Sequence, residues 1–108
     1  MEPITMIILA ALGGILGGAA AAGAVHVAVL TLPAVLAWFR ARRAVFVDRD
    51  LVAATMVDLL ASGSYRTVQG VFNTRTNYWV EYRTVDSSRL GWDLAQLHRT
   101  NQVVIHDL

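Results

Sequence analysis

The stretch ITMIILAALGGILGGAAAAGAVHVAVLTLPAVLAWF, residues 4–39, decides how the rest of the chain is interpreted. It contains 36 consecutive residues without Asp, Glu, Lys or Arg. A run of this length and composition is typical of a membrane-spanning helix. Two spans are disfavoured, because a Gly/Ala turn at residues 17–23 would leave backbone amides unsatisfied in lipid. We therefore predict one long transmembrane helix over residues 1–39, in which Pro33 introduces a kink or marks the end of the span.

A cleavable signal peptide is disfavoured for the same region. The chain begins Met-Glu-Pro, so it lacks a positively charged n-region, and the apolar run is too long for an h-region.

Small residues recur at spacings of four in the first half of this stretch. They form two ladders, Gly13, Gly17 and Ala21, and Gly14, Gly18 and Ala22. Such ladders allow two helix backbones to approach closely, and this close packing drives helix association in lipid. The pattern predicts a homo-oligomer or docking onto a partner's helix. The alternative is that Gly and Ala are simply common in membrane helices.

The end of the apolar run has the features of a membrane interface. Aromatic residues are followed by a basic cluster, in the order Trp38, Phe39, Arg40, Arg42 and Arg43, whereas no Lys or Arg precedes the run. The positive-inside rule then predicts a single-pass protein of the inner (plasma) membrane, with its N-terminus outside and its C-terminal part in the cytoplasm. The arginines could also bind anionic lipid headgroups.

His26 is the one ionisable side chain inside the run. Such a residue suggests a proton or ion path. A neutral imidazole that bonds a carbonyl explains it as well, because the run holds no acidic partner.

The remainder is predicted to form a basic juxtamembrane connector, residues 40–47, and a small domain, residues 48–108. Asp48 can cap a helix that extends to about Leu60. Two strands, residues 65–72 and 77–85, should form a hairpin around a polar turn, with neither face of the second strand cleanly apolar. A turn and helix cap at residues 86–88, a helix that carries Leu90, Leu94 and Leu97 and ends near Thr100, and a strand over 102–108 complete the domain. The predicted fold class is membrane-anchored α+β, with a cytoplasmic helix–hairpin–helix–strand domain and a three-stranded sheet.

Composition excludes several classes of protein. All nine basic side chains are Arg, which is typical of a GC-rich bacterial genome, and they are nearly balanced by eight acidic ones. A nucleic-acid-binding domain would normally show a concentrated basic face. The chain has no Cys, so it has no disulfide, thiolate metal site or cysteine nucleophile.

No established catalytic motif is present, and we predict neither an enzyme nor a cofactor or metal site. His98, His106 and Asp107 form the one cluster worth weighing. If the last helix turns back onto the final strand, the two histidines could approach each other and bind Zn or act as acid and base. Surface histidines are the simpler interpretation. A second set of residues, Tyr78, Trp79, Tyr82 and Trp92, could stack a ligand or fill a small core.

Two functional hypotheses follow. The first is a non-enzymatic membrane protein that assembles through its glycine ladders and acts as a scaffold or accessory subunit of a membrane complex. Its partners would be membrane lipid, copies of itself or other subunits, and not nucleic acid. The alternative is a homo-oligomeric pore gated by the cytoplasmic domain.

Overall fold

The computed structural model describes residues 6–8 and 24–108 of the chain. Residues 6–8 are helical. Residues 24–108 contain five strands and two α-helices, together with a 3₁₀ helix at Arg43–Val47. The strands are β1 (Val25–Leu30), β2 (Leu51–Leu59), β3 (Tyr65–Asn73), β4 (Tyr78–Leu90) and β5 (Val103–His106), and the helices are α1 (Leu32–Arg40) and α2 (Trp92–Leu97).

The prediction of one membrane-spanning helix over residues 1–39 is wrong. Its last third folds as a strand, β1, and a nine-residue helix, α1. In the described parts of the chain, no helix is long and apolar enough to cross a membrane. The predicted inner-membrane location, the orientation with the N-terminus outside and the membrane-anchored fold class are therefore wrong as well.

The boundary between β1 and α1 explains this difference. Thr31 is the N-cap of α1, and its hydroxyl oxygen accepts a hydrogen bond from the Ala34 amide at 3.3 Å. Pro33 lies in the first turn, where the missing amide hydrogen has no helical partner to lose. The Thr-Leu-Pro sequence therefore starts a helix instead of kinking one. Before it, the valine-rich Val25–Leu30 segment pairs as a strand, as β-branched residues favour.

The five strands form one mixed sheet in the order β1-β4-β3-β2-β5. β1 runs parallel to the second half of β4, from the pair Val25 and Val85 onward. All other neighbours are antiparallel. The predicted hairpin is present as β3 and β4, but the sheet has five strands instead of the predicted three. Of the three strands outside the hairpin, β1 and β2 precede it in the chain and β5 follows it.

The predicted helix after Asp48 is also wrong, since Leu51–Leu59 forms strand β2. This strand lies between β3 and β5, and its central residues, from Ala53 to Met56, are buried on both faces of the sheet. A strand covered on both faces does not alternate apolar and polar residues, so it can be mistaken for one face of a helix.

A β-bulge interrupts the pairing of β3 with β4. Val71 pairs with Glu81 and Phe72 with Trp79, so Val80 is an extra residue in β4. The extra residue places Trp79 on the same face as Tyr82 and Phe72, and the Trp79 and Phe72 rings meet edge to face at 5.1 Å. Gly70 lies beneath them, where an added Cβ would come within 2.7 Å of the Trp79 ring.

Each face of the sheet carries its own core. One face packs around Ala54, Met56, Val68, Phe72 and Val103, together with Ile8 from the N-terminal helical residues. The other face, which we call the helix face, lies under α1 and α2. Its core contains Leu30, Val35, Phe39, Ala53, Val85 and Leu94. The two helices therefore belong to the same packed body as the strands.

Replacing Phe39 tests this assignment, because the ring is fully buried on the helix face. We expect Phe39→Ala to lower the free energy of unfolding by about 3–5 kcal/mol, since it removes an aromatic side chain from a packed core. Trp92→Ala is the matched control, because Trp92 is 75% exposed and its loss should cost less than about 1 kcal/mol. Urea unfolding of both variants gives the comparison. Equal stability of the two variants would contradict the packing described here.

Candidate functional site

The residues singled out from the sequence fall into three groups. The glycine ladders, Gly13, Gly17 and Ala21, and Gly14, Gly18 and Ala22, lie outside the described residues. The residues assigned to a membrane interface lie in α1 and just after it. The two histidines, His98 and His106, come together on the helix face of the sheet.

The interface residues differ among themselves in burial. Phe39 is fully buried, and its ring packs against Trp38, Phe46 and His106. Arg40 and Arg43 are exposed. Arg42 is partly buried and pairs with Glu81 at 3.0 Å. Phe39 and Arg42 therefore contribute to the packing and ion pairing of the domain, whereas Arg40 and Arg43 lie on its surface.

Thr55 joins the two histidines. Its hydroxyl oxygen lies 2.9 Å from Nε2 of His98 and 2.7 Å from Nε2 of His106. The other ring nitrogen of His98, Nδ1, lies 3.0 Å from the Asn101 carbonyl oxygen, to which it donates. With that donor assigned, His98 accepts from the Thr55 hydroxyl, which in turn accepts from the Nε2–H of His106. We call this arrangement the Thr55–histidine centre.

Burial disfavours the protonated form of both histidines. Burial lowers the pKa of His98, against the opposing effect of its hydrogen bonds to the backbone carbonyls. Burial, and secondarily the charge of His98, lower the pKa of His106 to about 4. A protonated pair would place two positive charges around one hydroxyl. The centre is therefore built for two neutral imidazoles.

The Thr55–histidine centre links strand β2 to strand β5 and to the residue after α2. Thr55 is fully buried, so its hydroxyl cannot reach a substrate. Asp107, the third member of the predicted cluster, is exposed. In the segments that the structure describes, no three His, Cys, Asp or Glu side chains are grouped so that they could hold a metal ion. Sequence reasoning brought the histidines together but missed Thr55, which lies in the segment predicted to be a helix.

A second polar cluster lies on the same face, closer to α1. Gln69 is fully buried, and its side-chain amide donates to the Val35 carbonyl at 3.0 Å. Its oxygen accepts from Nε of Arg83 at 2.6 Å. Arg42 stacks on the Trp38 ring, with its guanidinium carbon 3.7 Å from the ring centre, while the corresponding carbon of Arg83 lies 5.7 Å from it. We call Arg42, Arg83, Trp38 and Glu81 the arginine cluster.

Arg83 is the unusual member of this cluster. Burial, and then the nearby charge of Arg42, lower the pKa of Arg83. In the described residues, the three carboxylates that form ion pairs do so with other arginines, Glu81 with Arg42, Asp86 with Arg66 and Asp50 with Arg75. Arg83 is thus a partly buried guanidinium whose observed side-chain partner is an uncharged amide.

A polar cleft of about 330 Å³ lies at the other end of the sheet. Its lining includes His26 from β1, Asp86 and two serines from β4, and two serines from the β2–β3 turn. The Arg66 guanidinium donates to both oxygens of Asp86 at 2.9 Å and lowers the pKa of that carboxyl group. Among the described residues, Asp86 accepts side-chain hydrogen bonds from Arg66 and none from His26.

The outer edge of β1 is a further unusual feature. Among the strands of the described residues, β1 lies at the edge of the sheet, and most of its residues are exposed, with Val25 at 48% and Val27 at 37%. It contains neither a charged residue nor a proline. Natural edge strands usually carry such residues, because they prevent pairing with another chain. An edge without them is suited to strand addition.

Lowering the pH should destabilise the domain through the Thr55–histidine centre. Folded His106 binds its proton near pH 4, whereas the unfolded imidazole binds it near 6.5, so the unfolded state holds more protons between these values. Stability is therefore complete above about pH 6.5 and falls towards pH 4, by about 2 kcal/mol in urea unfolding.

The variant is His106→Gln and its control is Gln96→Ala, since Gln96 is exposed and carries no titratable group. The first should flatten the pH dependence of stability and the second should leave it unchanged. An identical pH dependence in wild type and His106→Gln would contradict the assignment.

Removing the Thr55 hydroxyl should destabilise the fold through the two histidines that it bonds. Thr55→Val leaves the Nε2 atoms of His98 and His106 without their shared partner, and an unsatisfied buried polar group costs about 1–3 kcal/mol. Thr55→Ser keeps the hydroxyl and should lose less, so the pair separates the hydrogen bonds from the packing. Thermal and urea unfolding at neutral pH measure the difference. A valine variant as stable as the serine variant would show that the hydrogen bonds contribute nothing.

Comparison with known proteins gives no family assignment. No protein-family model matches the chain, no curated protein matches it, and no solved structure matches it. What the chain does must therefore be inferred from its own contacts, charges and open edges.

Proposed function

We propose that this protein is a non-enzymatic assembly domain that pairs with a second copy of itself through strand β1 and serves as a scaffold or accessory subunit. The observation that carries the proposal is the exposed, uncharged edge of β1. A non-enzymatic role is supported by the burial of Thr55 and by the engagement of Asp86 with Arg66. The pore hypothesis depended on a membrane-spanning helix and is not carried forward.

The sequence of β1 is suited to pairing with itself. In an antiparallel pair related by a two-fold axis, opposed residues must project from the same face, so the axis passes beside a residue and not between two. An axis at Val27 opposes Val27 to its own copy and Val25 to Val29 of the second copy. The other face opposes His26 to Ala28. One face thus becomes a ladder of valines, which favours strand pairing, and the imidazole meets a methyl group instead of another imidazole.

Electrostatics do not oppose this pairing. β1 carries no Asp, Glu, Lys or Arg, so two copies can approach edge to edge without like charges directly opposed. The resulting sheet would join the five described strands of each copy and would continue across the axis. Continuing the backbone ladder satisfies amide and carbonyl groups that the edge otherwise leaves to water.

A lysine in the middle of β1 should prevent the pairing. We expect the wild-type chain to have a dimer mass by light scattering and Val27→Lys to have a monomer mass, because two lysines would then oppose each other across the axis. Val47→Lys is the matched control, since Val47 is 84% exposed in the 3₁₀ helix and far from β1 in the chain. It should leave the mass unchanged. A wild-type chain that is monomeric at high concentration would refute the proposal.

Light scattering also distinguishes association through β1 from association through the glycine ladders, whose role remains a prediction. Gly18→Leu should abolish association if helix packing at the ladders holds the copies together, and should leave it intact if β1 does. Loss of association in Gly18→Leu but not in Val27→Lys would show that the copies associate through the ladders and not through β1. Circular dichroism of each variant confirms that the fold is retained.

A further inference from the structure

We propose that the arginine cluster is a binding site for a carboxylate, with Arg83 as the residue that holds it. The site lies where the C-terminal end of α1 meets the first half of β4. In the described part of the chain, β1 accompanies β4 from Val85 onward, so Glu81 and Arg83 lie beyond the end of β1. The inference does not depend on self-association through β1.

Arg83 is held in place before any ligand arrives. Its Nε donates to Gln69 at 2.6 Å, and Gln69 is itself fixed by donating to the Val35 carbonyl. Gln69 is completely buried, so the amide has little freedom to turn away. Because less side-chain freedom remains to be lost on binding, a ligand meets a preorganised guanidinium.

The geometry of Arg83 selects a planar, two-oxygen ligand. A guanidinium presents its donors in a rigid fork that can meet both oxygens of a carboxylate. Because Nε of Arg83 donates to Gln69, the two terminal guanidinium nitrogens, which lie side by side, remain to meet a ligand. In the described residues no carboxylate lies within ion-pairing distance of these nitrogens. A partly buried cation in this state gains from an anion more than a fully hydrated one does.

The charges around the site favour a single negative charge. Arg42 and Arg83 contribute two positive charges and Glu81 one negative charge, which leaves one positive charge to be balanced. Arg42 already has partners, since it pairs with Glu81 and donates from its Nη1 to the Trp38 carbonyl at 3.0 Å. The surplus charge is therefore on Arg83, and a monoanionic carboxylate balances it better than a phosphate dianion.

Trp38 completes the site and supplies a probe. Its ring lies 5.7 Å from the Arg83 guanidinium carbon and stacks on Arg42, so a molecule bound at Arg83 changes the surroundings of the indole. The carboxylate could belong to a small organic acid or to the C-terminus of a peptide. The site recognises the same group in both cases.

The test is an NMR titration of the full-length ¹⁵N-labelled chain at constant ionic strength. We follow the Nε–H signal of Arg83 and the indole signal of Trp38 while adding benzoate, its neutral isostere benzamide, or inorganic phosphate. Benzoate should give saturable shifts with a Kd on the order of 1 mM, as expected for a ligand of its size. Benzamide should give none, and phosphate should bind more weakly.

Titrations of three variants, and of the wild-type chain with a peptide, complete the test. Arg83→Gln should abolish the saturable shift of Trp38, and Arg83→Lys, which keeps the charge but loses the fork, should weaken binding about tenfold. Arg89→Gln is the control, since Arg89 is an exposed arginine of the same strand. A dipeptide with a free C-terminus that binds while its amidated form does not would support the carboxylate and assign its source to a chain terminus.

Several outcomes would overturn the proposal. These are no saturable shift with either carboxylate in the wild-type chain, equal binding of benzamide, tighter binding of phosphate, or equal loss of binding in Arg89→Gln. The wild-type titration requires no variant to fold, so instability of Arg83→Gln would not leave the question open.

Discussion

The structure depends on the hydrogen bonds of two buried polar side chains, Thr55 and Gln69, on the helix face of the sheet, where a core would normally be apolar. Thr55 and Gln69 are cross-strand partners on β2 and β3, and both are completely buried. A buried hydroxyl or amide without a hydrogen bond costs several times what a typical hydrogen bond contributes. Each of these side chains has partners, and those partners determine where α1, α2 and β5 lie.

The two buried groups hold different parts of the chain. Thr55 binds His98, just after α2, and His106 at the end of β5, so it connects a central strand to both C-terminal elements. Gln69 binds the backbone of α1 through the Val35 carbonyl. The pairing of β5 with β2 involves four residues of each strand, and the histidines add side-chain links to a short ladder. Residues that are far apart in the sequence are therefore linked through Thr55 and Gln69, which are neighbours on paired strands.

The predictable part of this fold consists of local signals. The polar turn between β3 and β4 indicated a hairpin, and the leucines near α2 and the apolar residues of β5 had the spacing of a helix and a strand. The meeting of His98 with His106 followed from that order of elements. Thr55 and Gln69 could not be recognised, because their roles depend on contacts with residues 34 to 51 positions away. The bulge at Val80, which moves Trp79 to the other face, has no clear mark in the sequence either.

The absence of charge between Ile4 and Phe39 misled the sequence interpretation, yet it has a physical consequence in the folded protein. In α1 it reflects packing, since Val35 and Phe39 are fully buried against the sheet. In β1 burial does not account for it, because Val25 and Val27 are substantially exposed. Exposed edge strands usually acquire a lysine, arginine or proline that discourages pairing, at little cost to the fold. The composition that is typical of a membrane span therefore also occurs in a strand at the edge of the described sheet, and the proposed pairing of β1 with a second copy would account for its lack of charge.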